Sequence, residues 1–274
     1  MNRNTVYYAA GFVTCLTLFT LQRLLFQDNT SNTSSGAKKK KAVFFGDSIT
    51  QHGSNSALDG WVCKFVDWWV RRVDVINRGF SGYNTAWARM IVQDTVVVEK
   101  PDLVFIFFGA NDAIDETVLQ HVPLAQYKDN LLFIVNTLQK KLPNAQLVII
   151  TPPPIWEPKL KSMNIMKSKK PELDRTNERT LEYVQVCKAL GKQYQIPVVD
   201  AWTALGGATN NRADFLSDGL HLNNSGNKRL FEAVRSTLTK ALGNKWVPEY
   251  MPMHMPEWAA MGELAKQSQT HAQS

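Results

Sequence analysis

Four short segments of this chain carry the residue types that acyl transfer requires. Gly46-Asp47-Ser48-Ile49-Thr50 offers a hydroxyl nucleophile, and Asp218-Gly219-Leu220-His221 offers a base with an acid to orient it. Between them, Gly79-Phe80-Ser81-Gly82 and Gly109-Ala110-Asn111-Asp112 offer donors for an oxyanion. A serine hydroxyl is a weak nucleophile until a base within hydrogen-bond reach takes its proton. Of the five histidines, His52, His121, His221, His254 and His271, only His221 has an orienting carboxylate at short range, Asp218, three residues earlier. In one turn of chain that spacing lets the carboxylate reach the imidazole Nδ1–H and leaves Nε2 to face a serine. His52, four residues after Ser48, is the rival base, and Asp47 is the one acid near it. The set predicts a serine ester hydrolase.

These residues need a scaffold that gathers them. From Lys41 onward the chain alternates short apolar runs with amphipathic stretches. The runs Ala42–Gly46, Val73–Asn77, Leu103–Gly109, Leu147–Thr151 and Val198–Asp200 read as strands. Helical periodicity lies between and after them, at about Trp61–Arg72, Thr85–Glu99, Leu124–Lys141, Arg175–Gln193 and Ser225–Ala241. Apolar strands that each lead into a helix predict a parallel sheet covered on both faces. Ligands of such sheets bind beyond the carboxyl ends of the strands. Ser48, Gly82 and Asn111 all follow strands and so share that edge.

Taken together and in this order, the four segments resemble the GDSL or SGNH hydrolase superfamily. Its marker residues correspond to Ser48, Gly82, Asn111 and His221, and the likeness covers residues 42–241. It is most similar to the isoamyl acetate-hydrolysing esterase group, through Arg78-Gly79-Phe80-Ser81-Gly82-Tyr83-Asn84-Thr85-Ala86-Trp87-Ala88, Phe108-Gly109-Ala110-Asn111-Asp112-Ala113, Val122-Pro123-Leu124 and Ser217-Asp218-Gly219-Leu220-His221-Leu222. The resemblance implies a three-layer α/β/α sandwich around a central, mostly parallel five-stranded sheet. It implies Ser48 as nucleophile, His221 as base and Asp218 as its orienting acid. The oxyanion hole would be the N–H groups of Ser48 and Gly82 with the side-chain amide of Asn111. Gly82 is expected to be glycine so that backbone can approach the substrate closely. Asp112 is expected to bond its own loop. No Gly-x-Ser-x-Gly elbow surrounds Ser48, which separates the chain from the α/β-hydrolases.

The remaining composition narrows the alternatives. The net charge of +7 is concentrated at the front, where Arg3, Arg23 and Lys38 to Lys41 face only Asp28, leaving +2 for the remainder. A nucleic-acid partner is therefore not indicated. Cys15, Cys63 and Cys187 are too scattered for a disulfide framework or a zinc site. No dinucleotide or phosphate loop and no hydrolytic metal spacing is present, so no cofactor and no metal is expected. Residues 1–26 contain an apolar run, 6–26, read as a single-pass membrane anchor, with a cleaved signal or a targeting segment as alternatives. Residues 27–41 read as a disordered tether, 42–245 as the hydrolase domain and 246–274 as a C-terminal extension. More positive charge after the apolar run than before it favours a cytosol-facing domain. Residues 154–173 read as a long connection that covers the acyl pocket, meets a membrane or is a solvated insertion. The expected substrate is a small or short-acyl ester. A lysophospholipase or thioesterase at a membrane surface, and a membrane-tethered binding protein, are the competing readings.

Overall fold

The computed structural model describes residues 39–168, 174–209 and 211–271. The apolar run 6–26 and residues 27–38 of the tether lie outside them. Among the described residues no helix is long and apolar enough to cross a membrane. Lys39–Pro252 form one compact unit.

Within it the chain runs β1 (Lys40–Gly46), α1 (Ser48–His52), α2 (Trp61–Trp68), β2 (Val73–Gly79), α3 (Thr85–Thr95) and β3 (Leu103–Phe107). It continues with α4 (Leu124–Lys141), β4 (Gln146–Ile150), α5 (Glu157–Ser168), α6 (Asn177–Tyr194), β5 (Val198–Val199), α7 (Ala201–Ala204) and α8 (Asn224–Leu242). Residues 253–271 fall in a second unit, whose described helix is α9 (Trp258–His271).

The five strands pair in parallel in the order β2-β1-β3-β4-β5. Successive side chains of a strand point to opposite faces. Phe44, Phe105, Phe107, Val148 and Ile150 therefore pack on one side, with Trp61 and Phe65 of α2 and Leu230, Val234 and Leu238 of α8. Val43, Phe45, Val104, Ile106 and Ile149 face the other side, against Val92 of α3, Leu131 and Ile134 of α4 and Tyr183, Cys187 and Leu190 of α6. Burial on both faces is why the inner strands β1, β3 and β4 read as apolar runs, while the edge strand β2 is only partly buried. The expected three-layer α/β/α sandwich with its five-stranded sheet is the fold observed.

Several boundaries differ from the sequence reading. Strand β1 begins at Lys40, inside the segment read as tether, because Lys40 and Lys41 pair with Val73 and Asp74 of β2. The extension after residue 245 starts inside the unit, with Trp246 buried against Trp69, whose Nε1–H donates to the Trp246 carbonyl at 2.9 Å. The connection at 154–173 is not bare loop, since α5 occupies most of it. Cys187 is buried and Cys63 partly so.

Phe44 is the centre of the aromatic layer beneath α2. It stacks on Phe105 with ring centroids 4.4 Å apart and meets Trp61 edge-on at 5.1 Å. Phe44→Ala is expected to lower unfolding free energy by about 3–5 kcal/mol, because the rigid sheet cannot close the cavity. Chemical denaturation measures this, and a loss below about 1 kcal/mol would show that the layer does not hold the sheet to α2.

Candidate active site

Three loops leave neighbouring strands at one sheet edge. Strand β1 lies between β2 and β3, so the chain switches sides after β2 and opens a crevice at the carboxyl ends. Ser48 follows β1, Gly82 follows β2 and Asn111 follows β3.

Ser48 is the first residue of α1. Asp47 caps that helix, its Oδ1 accepting the Ile49 N–H at 2.9 Å. The first N–H groups of a helix have no intrahelical acceptor, so α1 leaves the Ser48 N–H available. Asn77 of β2 ties the helix down: its Nδ2 donates to the Thr50 carbonyl at 2.7 Å, and its Oδ1 accepts the Gly79 N–H at 2.8 Å. The serine side chain is only 6% exposed as a residue and has little room to wander.

His221 reaches Ser48 from 173 residues away, Nε2 lying 2.8 Å from Oγ. Its Nδ1 lies 2.8 Å from Asp218 Oδ2. Asp218 Oδ1 accepts the N–H groups of Leu220 and His221, at 3.0 and 2.8 Å. One carboxylate thus orients both the ring and the turn that carries it. Burial pushes the Asp218 carboxyl up, but the hydrogen bond and charge of His221, with the two N–H donors, hold it well below the usual range. An ionised carboxylate only accepts, so Nδ1 carries the imidazole hydrogen and Nε2 is left to accept from Ser48.

The Asp218–His221 turn is braced from outside. Gly219 has φ +98°, and a Cβ there would lie 2.6 Å from the Leu160 N of α5. The Trp156 N–H donates to the Gly219 carbonyl at 2.9 Å. The segment read as a possible cover is thus, at its start, a support for this turn.

Gly82 has φ +82°, and a Cβ there would meet only Gln120 Nε2, at 3.4 Å. The left-handed backbone at this position favours glycine in its own right. The Asn111 side chain is nearly buried, at 4% exposure, and its Nδ2 donates to the Tyr83 carbonyl at 2.9 Å. One amide hydrogen remains for another acceptor. Asp112 links the same two loops, its Oδ1 accepting from the Thr85 N–H at 2.9 Å and from the Thr85 hydroxyl.

His52, the rival base, sits beside His221 with ring centroids 5.3 Å apart, and Asp47 serves α1 rather than this ring. Burial and the neighbouring His221 lower the pKa of His52, with Asp218 opposing them. A cavity of about 180 Å³ opens between Ile49, His52, Leu58, His221 and Leu222. Among the described residues no group of three His, Cys, Asp or Glu side chains could hold a metal ion.

Arg175 was not legible as a site residue. Its guanidinium reaches Asn111 and Ala110 from just before α6, 64 and 65 residues away, at 3.2 and 3.1 Å. Nothing in its local sequence signals that contact.

This fold and site define a three-layer α/β/α hydrolase. The family model of GDSL-like Lipase/Acylhydrolase matches residues 44–229. The chain belongs to that family and is a carboxylic ester hydrolase. It is 37% identical over 230 residues to an isoamyl acetate-hydrolyzing esterase 1 homolog of Rattus norvegicus, covering 81% of this chain and 88% of the relative. A GDSL esterase/lipase of Arabidopsis thaliana is 38% identical over 209 residues, covering 73% and 86%. Among solved structures, the lipase/acylhydrolase of Enterococcus faecalis superposes with a TM-score of 0.59 at 27% identity, covering 73% of this chain and 96% of that one. An acetyl xylan esterase, at 22% identity and a TM-score of 0.60 over 72% and 99%, shares the fold.

Asp112 generates a pH prediction. Burial raises its carboxyl to about 7, against the Thr85 hydrogen bonds, and the charge of Asp47 adds to the rise. The folded pKa lies above the unfolded value of about 3.9. The stabilising contribution is therefore full below about pH 4 and is lost as pH rises through about 7. Asp112→Asn cannot ionise, so the variant should gain on the parent in thermal midpoint between about pH 4 and 7. Parallel curves across that window would show that Asp112 does not titrate this way.

Proposed function

We propose that this enzyme hydrolyses small or short-acyl carboxylic esters through an acyl-enzyme on Ser48. The observation that carries this reading is the Ser48–His221–Asp218 chain, with its two 2.8 Å links. Ser48 Oγ attacks the ester carbonyl as His221 Nε2 takes its proton. Asp218 holds the imidazole tautomer and balances the imidazolium that forms. The tetrahedral oxygen is held by the N–H groups of Ser48 and Gly82 and the free amide hydrogen of Asn111. Donors placed for that oxyanion act on the transition state, at about 3–4 kcal/mol for one of them. His221 then protonates the leaving alkoxide, and water repeats the sequence on the acyl-enzyme. The names of the rat and Arabidopsis relatives, esterases both, support an ester substrate, and the rat relative's name favours a short acyl group.

The apolar run 6–26 favours a second reading, a lysophospholipase or thioesterase at a membrane surface to which that run anchors the domain. A panel of p-nitrophenyl esters of rising acyl length, run against a lysolipid and an acyl thioester, separates the two. Highest kcat/KM on acetyl and butyryl esters supports the first reading, and preference for the lysolipid or thioester supports the second.

Ser48→Ala should retain the circular dichroism of the parent and lose activity on p-nitrophenyl acetate by on the order of 10⁶-fold in kcat. Asp218→Asn should also be severe, up to about 10⁴-fold, because it favours the wrong tautomer. His52→Ala should stay within about threefold of the parent, since that ring does not bond Ser48. If His52→Ala proves as damaging as His221→Ala while Asp218→Asn is nearly silent, His221 is not the base.

A further inference from the structure

We propose that Arg175 is a positioning residue of the oxyanion hole, clamping Ala110 and Asn111 so that the Asn111 amide presents its free N–H to the reacting acyl oxygen. This rests on the reading of Asn111 as an oxyanion donor.

A side-chain amide has two faces of similar shape and opposite function, one accepting and one donating. An unrestrained asparagine can turn its carbonyl toward a developing negative charge and repel it. In this site the choice is made by chemistry on both sides. A guanidinium can only donate, and Arg175 Nη2 lies 3.2 Å from Asn111 Oδ1. A backbone carbonyl can only accept, and the Tyr83 carbonyl takes one Nδ2 hydrogen at 2.9 Å. With Oδ1 and one hydrogen committed, the planar amide leaves a single direction for the second hydrogen.

Arg175 holds the backbone as well. Its Nε–H donates to the Ala110 carbonyl at 3.1 Å, and its Nη1 pairs with Asp174 at 3.0 Å. The planar fork thus spans two consecutive residues of the loop after β3, which one ammonium could not match. The residue is 9% exposed, and taking a guanidinium out of water is costly unless its donors are satisfied. Packing alone would be served by an apolar side chain. The positive charge behind Oδ1 also polarises the amide and strengthens its N–H as a donor. Burial lowers the Arg175 pKa, and the charges of Asp174, Asp47 and Asp218 oppose that change, so acidic groups of the site compensate the cation.

The test is a double-mutant cycle on purified full-length enzyme with p-nitrophenyl acetate. Asn111→Ala alone should lower kcat by about 10²–10³-fold with KM near that of the parent. Arg175→Met and Arg175→Lys should each lower kcat by about 10–10²-fold, again with KM within about twofold, the lysine variant keeping the buried charge should the methionine variant fail to fold. In the Asn111→Ala background the same Arg175 substitutions should cost less than about threefold, because the group they position is gone. Affinity for an alkyl boronic acid, which becomes tetrahedral on Ser48, should fall in parallel with kcat in the single variants. If the Arg175 losses are the same in both backgrounds, Arg175 does not act through Asn111, and the proposal is overturned while Asn111 stands as donor. Arg175 variants with full kcat overturn it likewise. If Asn111→Ala is itself harmless, the oxyanion reading of Asn111 fails and the clamp fails with it.

Discussion

Strand β1 is hydrogen-bonded on both sides, to β2 through Lys40–Gly46 and to β3 through Ala42–Gly46, and the active edge depends on that double pairing. Parallel pairing aligns the three strand ends, with Gly46 opposite both Gly79 and Phe107. The loops that leave these ends therefore start level with one another. A register slip of one residue would turn every buried side chain of β1 to the wrong face, exchanging Phe44 with Phe45 between two differently shaped cores. The geometry of the proposed nucleophile and oxyanion donors is thus held by the same contacts that hold the fold.

Above that edge the loops are fastened to each other by buried polar groups. Asp112 bonds Thr85, Asn130 bonds the Thr85 hydroxyl at 3.2 Å, and Asn84 caps α3 while its Nδ2 reaches the Gln120 carbonyl. A buried polar group without a partner costs more than a hydrogen bond returns, so such a network favours one arrangement over near alternatives. The Asp112 Oδ2 atom has no protein partner and its carboxyl is raised to about 7, which fits a group held near its neutral form. Preorganisation of this kind matters for catalysis, because dipoles already in place need no reorganisation as charge develops.

The other half of the site hangs from a turn rather than a strand end. Ser217 and His221 close that turn, the Ser217 N–H donating to the His221 carbonyl at 2.8 Å, and Leu216 bridges Leu222. Its outer support is the start of α5, which is itself tied down: Glu157 accepts the Asn177 N–H at 2.8 Å and pairs with Arg212. Residues with no part in acyl transfer thereby set where the imidazole stands, and a one-ångström error there would lengthen a 2.8 Å hydrogen bond past use.

How much of this was written locally follows from the range of each interaction. Strand and helix identities were legible because burial on two faces gives unbroken apolar runs, and burial on one helical face gives a 3.6-residue period. The periodicity predicts a helix at about Leu124–Lys141, and α4 spans those residues. The Asp218–His221 pair was legible too, since three residues in one turn suffice to join carboxylate and Nδ1. Helix α5 was not, because Glu157–Ser168 mixes lysines with apolar residues and shows a weak stripe. Nor was Arg175, whose contacts with Ala110 and Asn111 span more than 60 residues. The sequence alone determined the five strands, the five long amphipathic helices and the types of side chain at the carboxyl edge of the sheet. Tertiary structure alone decided that Gly82 takes a left-handed backbone, that Arg175 reaches Asn111, and which way the Asn111 amide faces. Those outcomes depend on the relative placement of distant segments, which packing sets and no local period records.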